Sequence, residues 1–186
     1  MPADRYSTPA IILHWTIGLL ILANIPLGLF ADAIEDALGA SIIWIHKSIG
    51  LTVLLLSLAR LAWRLGHAPP PLPRAIAGWR KAASRAVHAL LYGLMILVPL
   101  TGWLRVSAGR YPLIWFGLFD VPKFPVAPGS TAAHVASRAH DFSSWALIAL
   151  ALLHIAAALH HQFGLRDGLI GRLSLAPTRL SRPARL

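Results

Sequence analysis

The stretch from Ala139 to Phe163, AHDFSSWALIALALLHIAAALHHQF, limits what this chain can fold into more than any other. It is long enough to cross a bilayer as a helix, and between Phe142 and Leu159 its only ionisable residue is His154. Helical geometry sets His140 and His154 about 40° short of four full turns apart, on one face and about 21 Å apart along the axis. An ionisable side chain inside a membrane helix is costly to place there, so it marks a functional site and needs a partner.

The partners lie in three further apolar runs, which makes this an all-α chain, a transmembrane four-helix bundle with spans at about 10–30, 42–62, 87–107 and 139–163. Composition agrees: 56% apolar residues and a mean hydropathy of +0.64 over 186 residues describe one membrane domain, 1–186, far too apolar for an ordinary soluble one. The first run is too long for a signal-peptide core and no A-x-A-like site follows it, so it reads as a span. Pro26 and Pro99 kink the first and third spans, and HALLYGLMILVPLTG in the third loosely echoes HWTIGLLILANIPLG in the first. Residues 31–41 form a polar turn. Residues 66–81 form a basic linker in which Pro69, Pro70, Pro71 and Pro73 forbid a regular helix. The loop 109–133, rich in Trp, Phe and Pro, is expected to lie at the membrane interface.

Charge placement sets the orientation. Arg5, Arg60, Arg64, Arg74, Arg80, Lys81, Arg85, Arg166, Arg172, Arg179, Arg182 and Arg185 fall on one side, with Asp4 and Asp167. Lys47, Arg105, Arg110, Lys123 and Arg138 fall on the other, balanced by five acids, so the whole net charge of +10 faces one leaflet. Both termini are therefore expected to be cytoplasmic. Charge so arranged is a topology signal with attraction to anionic membrane lipid, and it argues against nucleic acid as a partner.

The histidines then sort by depth. His14, His88, His154, His160 and His161 fall toward the cytoplasmic half, His46 and His140 toward the outer half. The two levels are about 18 Å apart counted through His14 and His46, and about 21 Å through the fourth span; His161 would give about 31 Å and fits poorly. Depth leaves His14 and His88 open as alternatives. A single membrane histidine can serve merely to bond a carbonyl on the next helix, but four at matched depths point to a shared group. His67 and His134 read as solvated loop residues, and His160 as interfacial.

The absence of cysteine excludes thiolate and iron–sulfur chemistry, and a single glutamate, Glu35, excludes a four-Glu di-metal site. Zinc wants three or four clustered ligands and copper usually wants sulfur. Matched imidazole pairs suit haem b with two axial histidines, and an iron so ligated has no free position for dioxygen, so its task is electron transfer.

His14-Trp15, the IHKSIG to R-L-x-W-R-L second span, the HAPPPLP linker, His88-A-L-L-Tyr92, Trp-Phe-Gly-Leu at 115–118 and H-D-x12-H before His160-His161 together resemble the bacterial cytochrome b561 family over nearly the whole chain, in order. The chain is similar more distantly to the cytochrome b subunits of formate dehydrogenase and nickel–iron hydrogenase. The resemblance implies two b haems, with axial pairs His14 with His154 at the cytoplasmic iron and His46 with His140 at the outer iron. It also implies exchange of electrons between the quinone pool and a second partner in the bacterial inner membrane. One kind in the family is similar to a superoxide oxidase, which would make ubiquinone the acceptor and superoxide, or another periplasmic donor, the source. In that reading Arg105, Arg110, Lys123 and Arg138 could steer a small anion to the outer haem, although headgroup contact is the plainer role of each. Ser7, Arg80 and His88 would lie near the quinone, with a haem propionate as another partner for His88. The alternatives are an electron-conducting anchor for a peripheral redox subunit of a dehydrogenase or hydrogenase, and a proton transporter using the histidines as a relay.

Overall fold

The computed structural model describes residues 5–38, 41–71 and 78–175, so Asp4, Pro73, Arg74, Arg179, Arg182 and Arg185 of the sequence argument lie outside the described residues. Among the described residues, four helices are long and apolar enough to cross a membrane: α1 (Thr8–Leu29), α3 (Ile43–Gly66), α4 (Trp79–Ser107) and α5 (Thr131–Leu159), the last continued by a π-helical turn, His160–Leu165. They pack α1 on α3, α3 on α4 and, most extensively, α4 on α5. The core is narrow, made by Ile17, Ile49, Val53, Met95 and Leu147, while Leu19, Leu55 and Leu152 are more than 60% exposed. That outward apolar surface is what a lipid-facing bundle presents, since lipid rather than protein covers it.

Two of these helices begin well before their apolar runs. WRKAASRAVH at the start of α4 is built from good helix formers, so Arg80, Lys81 and Arg85 continue the helix beyond the apolar core. Its first residue follows Gly78, whose φ of +62° and ψ of −135° suit only glycine. α5 starts where the Ser130 hydroxyl accepts the Ala133 N–H at 3.2 Å, a side-chain N-cap.

Both described ends of the chain meet at one end of the bundle, the terminal side. Tyr6 N–H donates to the Arg172 carbonyl at 3.2 Å, the Arg5 guanidinium to the Ser174 carbonyl, and Trp15 Nε1 to the Leu173 carbonyl at 3.0 Å. At the opposite, loop side a two-stranded hairpin, β1 (Ile114–Trp115) and β2 (Phe119–Asp120), pairs Ile114 with Asp120 and Trp115 with Phe119. It is pinned to α3. The fully buried Ser48 hydroxyl accepts the Phe116 N–H at 2.9 Å, and Trp115 Nε1 donates to Thr52 Oγ1 at 3.1 Å.

The loop-side connection between α1 and α3, expected as a polar turn, contains a short helix, α2 (Ala31–Leu38). Its Glu35 caps the next helix from a distance: Oε1 accepts the Ser41 hydroxyl at 2.8 Å and the Ile42 and Ile43 N–H groups at 2.8 and 3.0 Å. These donors include orphan N–H groups at the start of α3, the helix that carries His46. The hydroxyl bond first, then the two amide bonds, hold the Glu35 carboxyl below its usual value. Because the folded-state pKa is the lower one, this contribution is complete above the unfolded-state pKa and is lost as pH falls through the folded-state one. Glu35→Gln is therefore expected to lower the thermal unfolding midpoint of the detergent-solubilised protein at pH 7, with the gap to wild type closing as the pH is taken into the acidic range. A gap that stays constant with pH would show that the charge is not what caps α3.

Candidate functional site

The long helices bring the histidines together at two levels. Toward the terminal side, His14 of α1 faces His154 of α5 with ring centres 6.2 Å apart and planes at 75°. Toward the loop side, His46 of α3 faces His140 of α5 with ring centres 6.3 Å apart and planes at 85°. Two imidazoles bound on opposite sides of one metal ion, with bonds of about 2 Å and about 1.1 Å more from each nitrogen to its ring centre, stand about 6.2 Å apart. Both pairs have that span. So do His160 and His161, at 6.3 Å, but these are sequence neighbours on one turn, whereas each of the other pairs joins two helices. His88 of α4 lies edge-on to His154 with ring centres at 5.3 Å, too close for an ion of this kind to sit between them.

The loop-side pair is held by backbone. His46 Nδ1 bonds the Asn24 carbonyl at 3.2 Å, and His140 Nδ1 bonds the Val98 carbonyl at 2.9 Å. With Nδ1 carrying the proton, Nε2 keeps its lone pair for a metal, which fixes both the tautomer and the aim of the ring. Beside the pair lies a cavity of about 390 Å³, lined by apolar side chains such as Ile21, Leu147 and Ile148 and bordered by Lys47, Arg105 and Asp141. An apolar slot flanked by two imidazoles and rimmed by cations suits a flat apolar macrocycle with acidic substituents.

The remaining residues singled out in the sequence are dispersed. Arg105 forms an ion pair with Asp141 at 2.8 Å, both half-exposed. The Lys123 ammonium donates to the Gly109 and Tyr111 carbonyls, tying the loop. Arg110 is exposed and Arg138 partly exposed, and neither makes an ion pair among the described residues. On the terminal side, Ser7 Oγ accepts Trp63 Nε1 at 2.9 Å, the Arg80 guanidinium lies over the Trp79 ring, and His88 Nδ1 bonds the Ser84 carbonyl at 2.6 Å. No hydrogen bond or ion pair among the described residues joins Ser7, Arg80 and His88. His161 pairs with Asp167, His67 stacks on Trp63, and neither reaches the two pairs.

Sequence reasoning treated Arg60 and Arg64 as topology charges. In the bundle both guanidinium groups lie over the Tyr92 ring, at 5.5 and 5.7 Å, and Arg60 is only partly exposed, so a cation belongs to the terminal-side level. The signal was present: Arg60 follows His46 by the same 14 residues that separate His140 from His154.

With this geometry in hand, comparison with known proteins gives a consistent answer. Residues 5–173 match the family model described as "Prokaryotic cytochrome b561". The chain is 30% identical over 173 residues to "Cytochrome b561 homolog 2" of Escherichia coli (strain K12), covering 91% of each chain. It is 29% identical over 174 residues to "Cytochrome b562" of Cereibacter sphaeroides, covering 90% of this chain and 94% of the relative. "Cytochrome b561 homolog 1" of Escherichia coli (strain K12) is 24% identical over 174 residues. Matched along nearly its whole length, the chain belongs to the prokaryotic cytochrome b561 family and is a multi-pass membrane electron-transfer protein that binds b-type haem.

Proposed function

We propose that this cytochrome holds two b haems in the bacterial inner membrane, with both termini cytoplasmic, and oxidises superoxide at the periplasmic face while reducing ubiquinone. The observation that carries the dihaem reading is the ring spacing: His14 with His154 and His46 with His140 each leave the gap that one bis-imidazole iron needs, at two depths. The same spacing favours His14 over His88 as the partner of His154. Haem b, when bound, would be held by these imidazoles and would supply a one-electron carrier.

The protein's own residues do the rest. The Asn24 and Val98 carbonyls orient the loop-side imidazoles. Lys47 and Arg105 at the cavity rim, with the outer-face Arg110 and Arg138, give an approaching anion a locally favourable field on a face whose total net charge is near zero. Two superoxide anions each lose one electron and leave as dioxygen; ubiquinone gains those two electrons and two protons to become the quinol. The neutral quinone reaches the terminal-side level from the lipid, with His88, Ser7 and Arg80 as its candidate polar contacts.

Purified protein should contain two haems per chain, and His46→Ala or His140→Ala should leave one. His14→Ala should lose the terminal-side haem while His88→Ala retains it. Near-perpendicular ring planes leave the lower d-orbitals of a ferric iron almost degenerate, so both haems should give strongly anisotropic low-spin EPR signals. One haem per chain in wild type, or loss of haem in His88→Ala but not His14→Ala, would refute the ligand scheme.

Stopped-flow mixing with superoxide tests the donor. The haems should be reduced and then reoxidised by excess ubiquinone. Arg110→Glu with Arg138→Glu should slow reduction several-fold at low salt, the defect shrinking as salt screens the field. Haems that stay oxidised would remove superoxide as donor and, if a peripheral subunit co-purifies, favour an electron-conducting anchor.

A further inference from the structure

His46 and His140 lie against helix backbone, which is possible only where the facing residue has no side chain. A methyl group on Gly28 of α1 would sit 2.6 Å from His46 Cε1 and 3.0 Å from Nδ1. One on Gly102 of α4 would sit 2.9 Å from His140 Cε1 and 3.0 Å from Nδ1. Carbon atoms at rest stay about 3.5–4.0 Å apart, so either methyl would push the ring away. The carbonyl that each ring bonds belongs to the residue four before its glycine: Asn24 before Gly28, Val98 before Gly102. Glycine and carbonyl therefore stand one above the other on a single helix face, the glycine clearing the space and the carbonyl taking the proton on Nδ1. A proline lies between them each time, Pro26 and Pro99. One offset of 74 residues relates Asn24 to Val98 and Gly28 to Gly102, so α1 and α4 present the same device to two different helices.

We propose that Gly28 and Gly102 are positioning residues for the loop-side haem. Each lets an imidazole from the neighbouring helix dock on bare backbone, lock its tautomer on the carbonyl one turn away, and aim Nε2 at the iron. The inference rests on the reading of His46 and His140 as axial ligands. It assigns a role to two residues of the cavity lining that have no side chain with which to ligate iron, and the role is the same in both halves of the bundle.

The test uses the full-length protein with four single substitutions. Gly28→Ala and Gly102→Ala each crowd a ring. Gly18→Ala and Gly93→Ala, in the same two helices, add a methyl that meets nothing within 4 Å. The readouts are haem per chain, the redox titration of each haem and the low-spin EPR signal of each. The crowding variants should retain the loop-side haem about 10- to 100-fold less tightly. Any of it that stays bound should show a shifted potential and an altered EPR signal, because the ring is displaced or turned. The terminal-side haem should be unchanged and so report that the bundle is folded. The open variants should match wild type in every readout. The proposal fails if the crowding variants match the open ones, and it fails equally if they lose both haems together, since the glycines would then serve the packing of the whole bundle. His46→Ala distinguishes the underlying reading: if it keeps both haems, His46 is not a ligand and the ligand scheme itself is wrong.

Discussion

An imidazole inside a bilayer has two ring nitrogens and no water to satisfy either. One nitrogen must find a carbonyl on a neighbouring helix or remain unpaired, and the other is left facing whatever lies across the ring. His46 and His140 meet the first demand on Asn24 and Val98, and their rings stand 6.3 Å apart centre to centre, the spacing that two imidazoles on one metal ion have. Much of the bundle can be read from that requirement. α1 and α4 must come close enough to offer carbonyls, which places each against the helix that carries the histidine. The core between them stays narrow because the middle is given over to rings and a slot rather than to interlocking aliphatic side chains.

The loop side shows the same economy of polar groups. Ser48 is completely buried, yet its oxygen serves the Phe116 N–H and its proton reaches the Trp44 carbonyl at 2.9 Å. Thr101 returns its proton to the carbonyls of Leu97 and Val98, both at 2.8 Å. Ser107 accepts the Phe124 N–H at 3.1 Å. A loop rich in tryptophan and proline is thus sewn to α3 and α4 by hydroxyls that, in lipid, have few other partners. It is held against the loop-side end of the bundle. Glu35 does for the start of α3 what these hydroxyls do for the hairpin, with the added strength of a charged acceptor.

The sequence carried the spans, the two levels of histidine and the pairing of levels, because helical rise and turn are rigid and a histidine in lipid is conspicuous. It placed the centres of the helices well and their ends poorly. α4 and α5 run past their apolar runs since alanine, lysine and arginine extend a helix as readily as leucine does, and a search for apolar residues stops where the membrane does. α2 was read as a turn because three acids in eleven residues look like a loop, although ADAIEDAL has the makings of one short amphipathic helix. His14 and His88 could not be separated by depth, as both sit at one level; in the bundle their ring spacings to His154 differ by 0.9 Å, which no sequence encodes visibly. Arg60 was counted as a charge on one side of a membrane, and its contact with Tyr92 is a tertiary fact. Gly28 and Gly102 were hidden for another reason: glycine is common in membrane helices, and only the ring lying against it gives it meaning.

The chain has the form of two helix pairs, α1 with α3 and α4 with α5, and the pairs differ at one position that matters. In the first helix of each pair a histidine precedes the docking glycine by 14 residues: His14 before Gly28, His88 before Gly102. In the second helix another histidine docks on that glycine, His46 or His140, and the residue 14 further on is Arg60 in one pair and His154 in the other. On the loop side the two halves are therefore equivalent, and their histidines meet each other. On the terminal side they are not, for the repeat supplies three histidines and one arginine. A trans pair there can form between His14 and His154 but has no counterpart between His88 and Arg60. Those two are left as polar groups that can donate hydrogen bonds but cannot complete a second metal pair. An arginine in a membrane-spanning helix needs an electron-rich neighbour, and the Tyr92 ring meets part of that need. The departure from symmetry thus leaves the terminal side with one trans imidazole pair and two further polar groups, while the loop side has its imidazole pair alone.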